Sequence, residues 1–159
     1  MLKLAKILVP TDFSLPSQHA LRYALSLAKT THAQILLLHV VDTPAYLPML
    51  AAEGGAIALP DLQERARGFA DQHLKDMAQH EVPATVDVKT MRREGPAYVE
   101  ILDVARKEGV DMIVMATQGL TGLKHFLLGS TAERVVREAP CPVLTLRAET
   151  MQSDADKMD

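Results

Sequence analysis

Cysteine is almost absent, since the 159-residue chain contains only Cys141. An intrachain disulfide is therefore excluded, and the cysteine content gives no reason to place the protein in an oxidising compartment. We expect a reduced, cytoplasmic protein. Cys141 lies between two prolines, and we interpret it as a small buried hydrophobic residue rather than a redox centre.

Basic clusters are also lacking, because no run of lysine and arginine exceeds two residues. The formal net charge is −3, and the acidic excess of residues 148–159 accounts for all of it. Proteins that bind duplex nucleic acid need a basic surface to displace counterions from the phosphates, so we expect no nucleic-acid partner. At about 150 residues per domain, we predict one domain over 1–147 and a flexible acidic tail over 148–159.

No apolar run is long and unbroken enough to cross a membrane. The N-terminal segment meets a polar break at Thr11 and Asp12, too early for the hydrophobic region of a signal peptide. Residues 43–60 carry only one charge, but prolines and glycines interrupt them. We expect no membrane insertion, and we interpret 43–60 as a long loop that is disordered without ligand or closes over a site as a lid.

Five short apolar runs alternate with segments of helical spacing. This order predicts an α/β, Rossmann-like fold: an open, doubly wound sheet of parallel strands with helices on both faces. Ligands bind such sheets at the carboxyl ends of the strands, where the winding direction reverses. The predicted strands are residues 7–9, 35–41, 84–88, 112–115 and 143–146.

Four helices are predicted between the strands. Ser14 begins the first, Asp61 caps the second, Gly95 and Pro96 open the third, and the fourth runs over 130–139. The residues expected to face the core are Ala20, Leu21, Ala24, Leu27 and Ala28 in the first helix, Leu62, Ala66, Phe69, Ala70 and Met77 in the second, Tyr98, Ile101, Leu102 and Ala105 in the third, and Ala132, Val135 and Val136 in the fourth.

Three well-known phosphate signatures are missing. The turn after the first strand has no glycine, which excludes the G-x-G-x-x-G fingerprint. No glycine precedes Lys-Ser or Lys-Thr, which excludes the P-loop, and Ser130 is not in a G-x-S-x-G elbow. The glycines after the fourth strand, with Ser130 and Thr131 at a helix start, have the ingredients of an anion cradle. Glycine and serine at a helix start are more often ordinary turn and cap residues, so this pattern alone is weak evidence for a phosphate site.

Several polar side chains have weaker functional interpretations. His73 and His80 share one helix face, where a surface metal site and a solvated face are alternatives; we predict the solvated face, because no fourth ligand is identifiable. We expect Lys124 and His125 to be solvated loop residues. No carboxylate pair or metal cluster supplies a water-activating base beside them, so no catalytic residues are predicted.

Three segments have specific residue patterns. They are Ile-Leu-Val-Pro-Thr-Asp-Phe-Ser at 7–14, Leu-Leu-His-Val-Val-Asp at 37–42, and the stretch over 115–136 with Pro-Cys-Pro-Val-Leu at 140–144. Together they resemble the universal stress protein family. The resemblance covers residues 3–147. It implies a five-stranded parallel sheet in the order 3-2-1-4-5, a homodimer, and ATP, which Mg²⁺ can accompany, between the first and fourth strands.

The family's nucleotide motif is Gly, two residues, Gly, nine residues, then Gly-Ser or Gly-Thr. Gly119 takes the second glycine and Gly129-Ser130 completes the motif, but Ala116 replaces the first glycine. A Cβ at this position would be costly if the backbone needed a positive φ. The resemblance implies a nucleotide-binding set of Pro10, Thr11, Asp12, Val40, Met115, Ala116, Gly119, Gly129, Ser130 and Thr131.

By the resemblance, Asp12 bonds the ribose or adenine, Val40 offers backbone groups to adenine, and the glycines with Ser130 and Thr131 hold phosphates. Another interpretation makes Asp12 the cap of the first helix and Met115 a core residue.

We expect an ATP-binding, stress-response regulator whose occupancy shifts its conformation or its protein partner. A nucleotide-free dimeric interaction module, favoured by Ala116, and a slow ATPase are the alternatives. Strand 143–146 is apolar except for Thr145. Because exposed apolar sheet edges pair with other chains, we predict a homodimer through Val143–Leu146.

Overall fold

Strands and helices alternate along the computed structural model, which describes residues 4–42, 59–118 and 128–147. The strands are β1 (Lys6–Pro10), β2 (Gln34–Val41), β3 (Val88–Glu94), β4 (Met112–Ala116) and β5 (Val143–Leu146). The helices are α1 (Leu15–Thr31), α2 (Leu59–His80), α3 (Ala97–Glu108) and α4 (Ser130–Glu138). None of these helices is long and apolar enough to span a bilayer. The predicted tail over 148–159, residues 43–58 of the predicted loop, Lys124 and His125 lie outside the described residues.

The five strands form one parallel sheet in the order β3-β2-β1-β4-β5, which confirms the predicted topology. Ile7 of β1 is paired with Ile35 of β2 on one side and with Met112 of β4 on the other. The chain winds outward in opposite directions from β1 and β4, so the loops at their carboxyl ends diverge. A crevice therefore opens at this point of the sheet.

Alternate side chains of the central strands enter two separate cores. Ile7 and Val9 pack with α1 and α2 residues on one face, while Leu8 packs with α3 and α4 residues on the other. Successive strand side chains point to opposite faces, so a strand covered on both sides reads as a continuous apolar run. This arrangement confirms the prediction of helices on both faces.

The third strand is not where the apolar pattern predicted it. Residues 84–88 were expected to form it, whereas β3 covers Val88–Glu94. Val82 and Val86 are buried before the strand begins, and the Val86 N–H donates to the Pro83 carbonyl at 2.9 Å. These residues are apolar because they cover one core, while β3 lies at the sheet edge, where long polar side chains reach water.

The predicted capping residues are confirmed at the start of α1 and the end of α3 but not at the start of α2. Ser14 caps α1, and its Oγ accepts from the Ser17 N–H at 3.3 Å. α3 ends at Glu108, and its C-cap Gly109 has a φ of +59°, which suits glycine. Asp61 is not the cap of α2, because the helix begins at Leu59 and Asp61 lies in its first turn, where a negative charge favours the helix dipole. α4 ends at Glu138, one residue earlier than predicted.

Two residues that were expected in the core lie at the surface. Phe69 is 55% exposed and Val136 is 47% exposed. Phe69 directly precedes the buried Ala70, and Val136 directly follows the buried Val135. Neighbouring residues point about 100° apart around a helix, so Phe69 and Val136 point away from the core. The predicted inward residues that are only half-buried are Leu27, Leu62, Ala66 and Tyr98.

Cys141 packs, half-buried, against the α3 and α4 core. Burial raises the pKa of its thiol, and the Asp111 carboxylate raises this pKa further. The thiol therefore stays protonated at neutral pH, which disfavours nucleophilic or redox chemistry and supports the predicted packing role.

Candidate functional site

A cavity of about 570 Å³ opens at the carboxyl ends of β1, β2 and β4, where the winding of the sheet reverses. The first turn of α4 forms another wall. Nine of the ten residues in the predicted set surround it, and the tenth, Gly119, lies outside the described residues. The nine are Pro10, Thr11, Asp12, Val40, Met115, Ala116, Gly129, Ser130 and Thr131.

Nine further residues line this cavity that the sequence reasoning did not assign to it. Two of them, Thr117 and Gln118, directly follow β4, so their place after a strand was a usable signal. The apolar members have the same spacing along the chain as core residues, so the sequence does not distinguish them from the core. Ala97 comes from α3, which is distant in the chain from β1 and β4. The set is Ser17, Leu38, Ala97, Ile101, Thr117, Gln118, Leu128, Ala132 and Glu133.

The turn after β1 is fixed by hydrogen bonds of Thr11. This residue is buried, and its N–H donates to the Leu38 carbonyl at 2.8 Å. Its Oγ1 lies 3.0 Å from Ser17 Oγ and accepts from the Phe13 N–H at 3.0 Å. The turn is thereby tied to both β2 and α1.

Asp12 faces the cavity and also supports the start of α1. Its Oδ1 accepts from the Ser14 N–H at 3.0 Å and from the Ser14 hydroxyl. Ser14, rather than Asp12, caps the helix. An ionised carboxylate only accepts hydrogen bonds, and Asp12 is one of the residues that line the cavity.

Ala116 has an ordinary strand backbone. It pairs with Leu146 of β5, and positive φ values at non-glycine positions are confined, among the described residues, to Phe13 and His32. Alanine therefore carries no backbone penalty here. Met115 is both a core residue, 6% exposed, and part of the cavity wall, so the two interpretations of it are compatible.

Gly129 is required by a close approach of two backbone segments. Its N–H donates to the Thr117 carbonyl at 2.7 Å, and a Cβ on Gly129 would lie 2.9 Å from the same oxygen. The Thr117 N–H in turn donates to the Leu146 carbonyl at 2.9 Å. This chain of contacts fixes the start of α4 against the end of β4.

The first turn of α4 presents backbone donors to the cavity. Its N-cap is Gly129, which offers no side-chain hydrogen bond to the helix. The first N–H groups of a helix have no intrahelical acceptor and favour a negatively charged ligand. Ser130 and Thr131 add hydroxyl groups at the same place, so this end of the cavity suits phosphate. The Glu133 carboxylate also lines the cavity but accepts from Arg137.

A smaller cavity of about 240 Å³ adjoins the first and shares Ala97, Ser130 and Thr131 with it. The Arg134 guanidinium lies over the Tyr98 ring, with its central carbon 4.5 Å from the ring centroid, a cation–π contact. Both side chains line this smaller cavity.

The two histidines of α2 have different surroundings. Each Nδ1 lies 2.9 Å from a backbone carbonyl, that of Phe69 for His73 and that of Asp76 for His80. His80 is exposed, as predicted, but His73 is half-buried against aromatic rings. In the part of the chain that the structure describes, no group of three or more His, Cys, Asp and Glu side chains is placed to hold a metal ion.

The family model of the universal stress proteins matches residues 3–147. A universal stress protein of Methanocaldococcus jannaschii is 38% identical over 142 residues, which cover 89% of this chain and 81% of that protein. The solved structure of a second protein of that organism is 30% identical with a TM-score of 0.78, and the match covers 91% of this chain and 96% of that one. A family member from Arabidopsis thaliana, solved with AMP bound, shares the fold at 20% identity with a TM-score of 0.63, covering 98% of this chain and 99% of that one. The chain therefore belongs to the universal stress protein family.

Proposed function

We propose that this protein binds an adenine nucleotide, with ATP as the expected ligand, and acts as a regulator whose nucleotide occupancy changes its conformation or its interaction with a protein partner. The observation that carries the proposal is the cavity between β1 and β4, which joins an apolar interior to the donor-rich start of α4.

The size and lining of the cavity fit a nucleotide. Its volume of about 570 Å³ lies in the range of about 300–1,000 Å³ typical of small-molecule sites. Leu38, Val40, Ile101 and Met115 supply apolar surface for a base. The Asp12 carboxylate is an acceptor suited to ribose hydroxyl groups.

The opposite end suits the phosphates. The free N–H groups of the first α4 turn and the hydroxyls of Ser130 and Thr131 are donors, and the helix dipole adds a favourable field. Mg²⁺ would enter with the triphosphate, because its ligands are then phosphate oxygens and water. The AMP-bound structure from Arabidopsis thaliana supports an adenine nucleotide at the level of the fold.

Thermal unfolding with and without ATP tests the proposal. A ligand specific to the folded state adds about 2.7 kcal/mol at 100 times its Kd, which raises the Tm of a chain of this size by roughly 5–11 °C. AMP at the same concentration should give a smaller rise, since it lacks the β- and γ-phosphates and so has fewer acceptors for the donors at the start of α4. An unchanged Tm with millimolar ATP would favour the nucleotide-free interaction module instead.

We also propose a homodimer through β5. This strand ends the sheet, and all four of its residues keep partial exposure. Val136 is an exposed apolar residue of α4, the helix that contacts β5. An unpaired edge with adjoining apolar surface favours pairing with a second copy of the chain.

A further inference from the structure

Phe13 has an unusual backbone conformation next to the candidate site. Its φ is +65°, in the left-handed region that bulky residues rarely adopt. The residue directly follows Asp12 and precedes the Ser14 cap of α1. Such conformations persist where the surrounding structure holds them, and they concentrate at functional sites.

Three rings surround Phe13 and hold it in place, and we call Phe13, His39, Phe69 and His73 the aromatic cluster. The Phe13 ring stacks on His39 with 4.3 Å between ring centroids and 25° between planes. Phe69 meets it edge-on at 6.0 Å, and His73 lies 5.2 Å away. Phe69 and His73 stack on each other at 3.7 Å, so α2 supports the turn after β1.

His39 connects the cluster to the cavity wall. Its Nδ1 lies 2.8 Å from the Thr11 carbonyl oxygen. Because a carbonyl only accepts, Nδ1 carries the proton and donates. The preceding residue of β2 also bonds Thr11, because the Leu38 carbonyl accepts from the Thr11 N–H at 2.8 Å. Two consecutive residues of β2, Leu38 and His39, therefore hold the N–H and the carbonyl of Thr11. His39 and Phe13 are not among the residues that line the cavity.

We infer that His39 and Phe13 are positioning residues for nucleotide binding: they hold residues 11 and 12 in the shape that presents the Asp12 carboxylate to the ribose or base. The inference rests on the proposed function. Neither side chain touches the ligand, and each acts through the turn, His39 by its hydrogen bond and Phe13 by its stacked ring.

Two substitutions separate the hydrogen bond from the bulk of the His39 side chain. His39→Leu removes the donor at similar size, whereas His39→Asn keeps an N–H group close to the position of Nδ1. In calorimetric titration with ATP, His39→Leu should weaken binding by about 3- to 10-fold, the equivalent of one net hydrogen bond, and His39→Asn should retain most of the affinity. His80→Leu is the matched control, because His80 is exposed and bonds a carbonyl of its own helix, about two turns beyond His73; its affinity should equal that of the wild type.

Phe13→Gly tests the role of the Phe13 ring. It also provides an independent test of the inference if His39→Leu fails to fold. Glycine adopts the positive φ without penalty but lacks the ring, so the affinity should fall although the backbone conformation is easily reached. Wild-type affinity in both His39→Leu and Phe13→Gly would overturn the inference, as would an equal loss in His39→Leu and His39→Asn. A wild-type protein that binds no ATP would instead overturn the proposed function.

Discussion

Adding a methyl group to Gly129 should damage both the fold and the candidate site. The new Cβ would lie 2.9 Å from the Thr117 carbonyl oxygen, which is closer than carbon and oxygen tolerate. The obstacle is backbone, and Thr117 is itself held by β5, so neither segment yields easily. We expect the hydrogen bond from Gly129 to Thr117 to open and the start of α4 to move.

The expected cost combines two effects. Losing a net hydrogen bond costs about 0.5–1.5 kcal/mol, and overpacking costs about 1–3 kcal/mol. Since part of the strain is relieved when the hydrogen bond opens, we expect a net loss of roughly 1–3 kcal/mol in the free energy of unfolding, or about 2–12 °C in Tm for a chain of this size. Because the moved turn carries the donors for phosphate, ATP affinity should fall at least about 10-fold, the equivalent of a single hydrogen bond to a charged group.

Gly68→Ala is the matched control for Gly129→Ala. Gly68 lies inside α2, and an added Cβ there meets no atom within 4 Å. Alanine in a helix is more favourable than glycine by about 0.8–1.0 kcal/mol, so this variant should be slightly more stable and should bind ATP as the wild type does. Calorimetric unfolding and titration measure both quantities. Wild-type Tm and wild-type affinity in Gly129→Ala would show that the contact between Gly129 and Thr117 is not needed for the fold or for ATP binding.

Three other predictions concern separate parts of the molecule. Asp12→Asn keeps an oxygen for the Ser14 N–H but removes the charge, so titration calorimetry should show ATP affinity reduced by about 10- to 100-fold with little change in Tm; unchanged affinity would exclude Asp12 from the site. Burial, reinforced by nearby His73, lowers the pKa of His39 below its usual 6.5, against the opposing effects of the Thr11 carbonyl and the Asp12 carboxylate. The unfolded chain therefore binds this proton more readily, and urea unfolding should show stability falling as the pH drops below about 6.5, with a smaller slope in His39→Asn; equal slopes would contradict the assignment. Val136→Lys places a charge on an exposed residue of α4, the helix that contacts β5, so sedimentation should detect monomers, with a lower Tm because a second copy no longer stabilises the fold; a wild-type mass would place the dimer interface elsewhere.

The sequence predicts the central strands well because burial on both faces leaves a continuous apolar run. β1, β2 and β4 lie where these runs indicate, and so does β5, an edge strand that is itself apolar. β3 does not, because most of its residues are polar, and the apolar residues before it cover the core from a connection instead. Phe69 was expected in the core but is exposed, because its ring packs on Phe13 and His73 within the aromatic cluster.

The candidate site is only partly readable from the sequence. Residues directly after β1 and β4 are predictable, because ligands bind parallel sheets at the carboxyl ends of the strands. The link between His39 and Thr11 joins residues 28 positions apart, and no local pattern indicates it. The left-handed conformation of Phe13 is equally hidden, because phenylalanine is among the residues least expected there.

Nucleotide binding by the wild-type chain is measured by titration calorimetry with ATP. We expect a saturable heat with one nucleotide bound per chain, and an affinity at least about 10-fold lower in Gly129→Ala but unchanged in Gly68→Ala. A wild-type titration with no heat of binding at several temperatures would contradict this expectation.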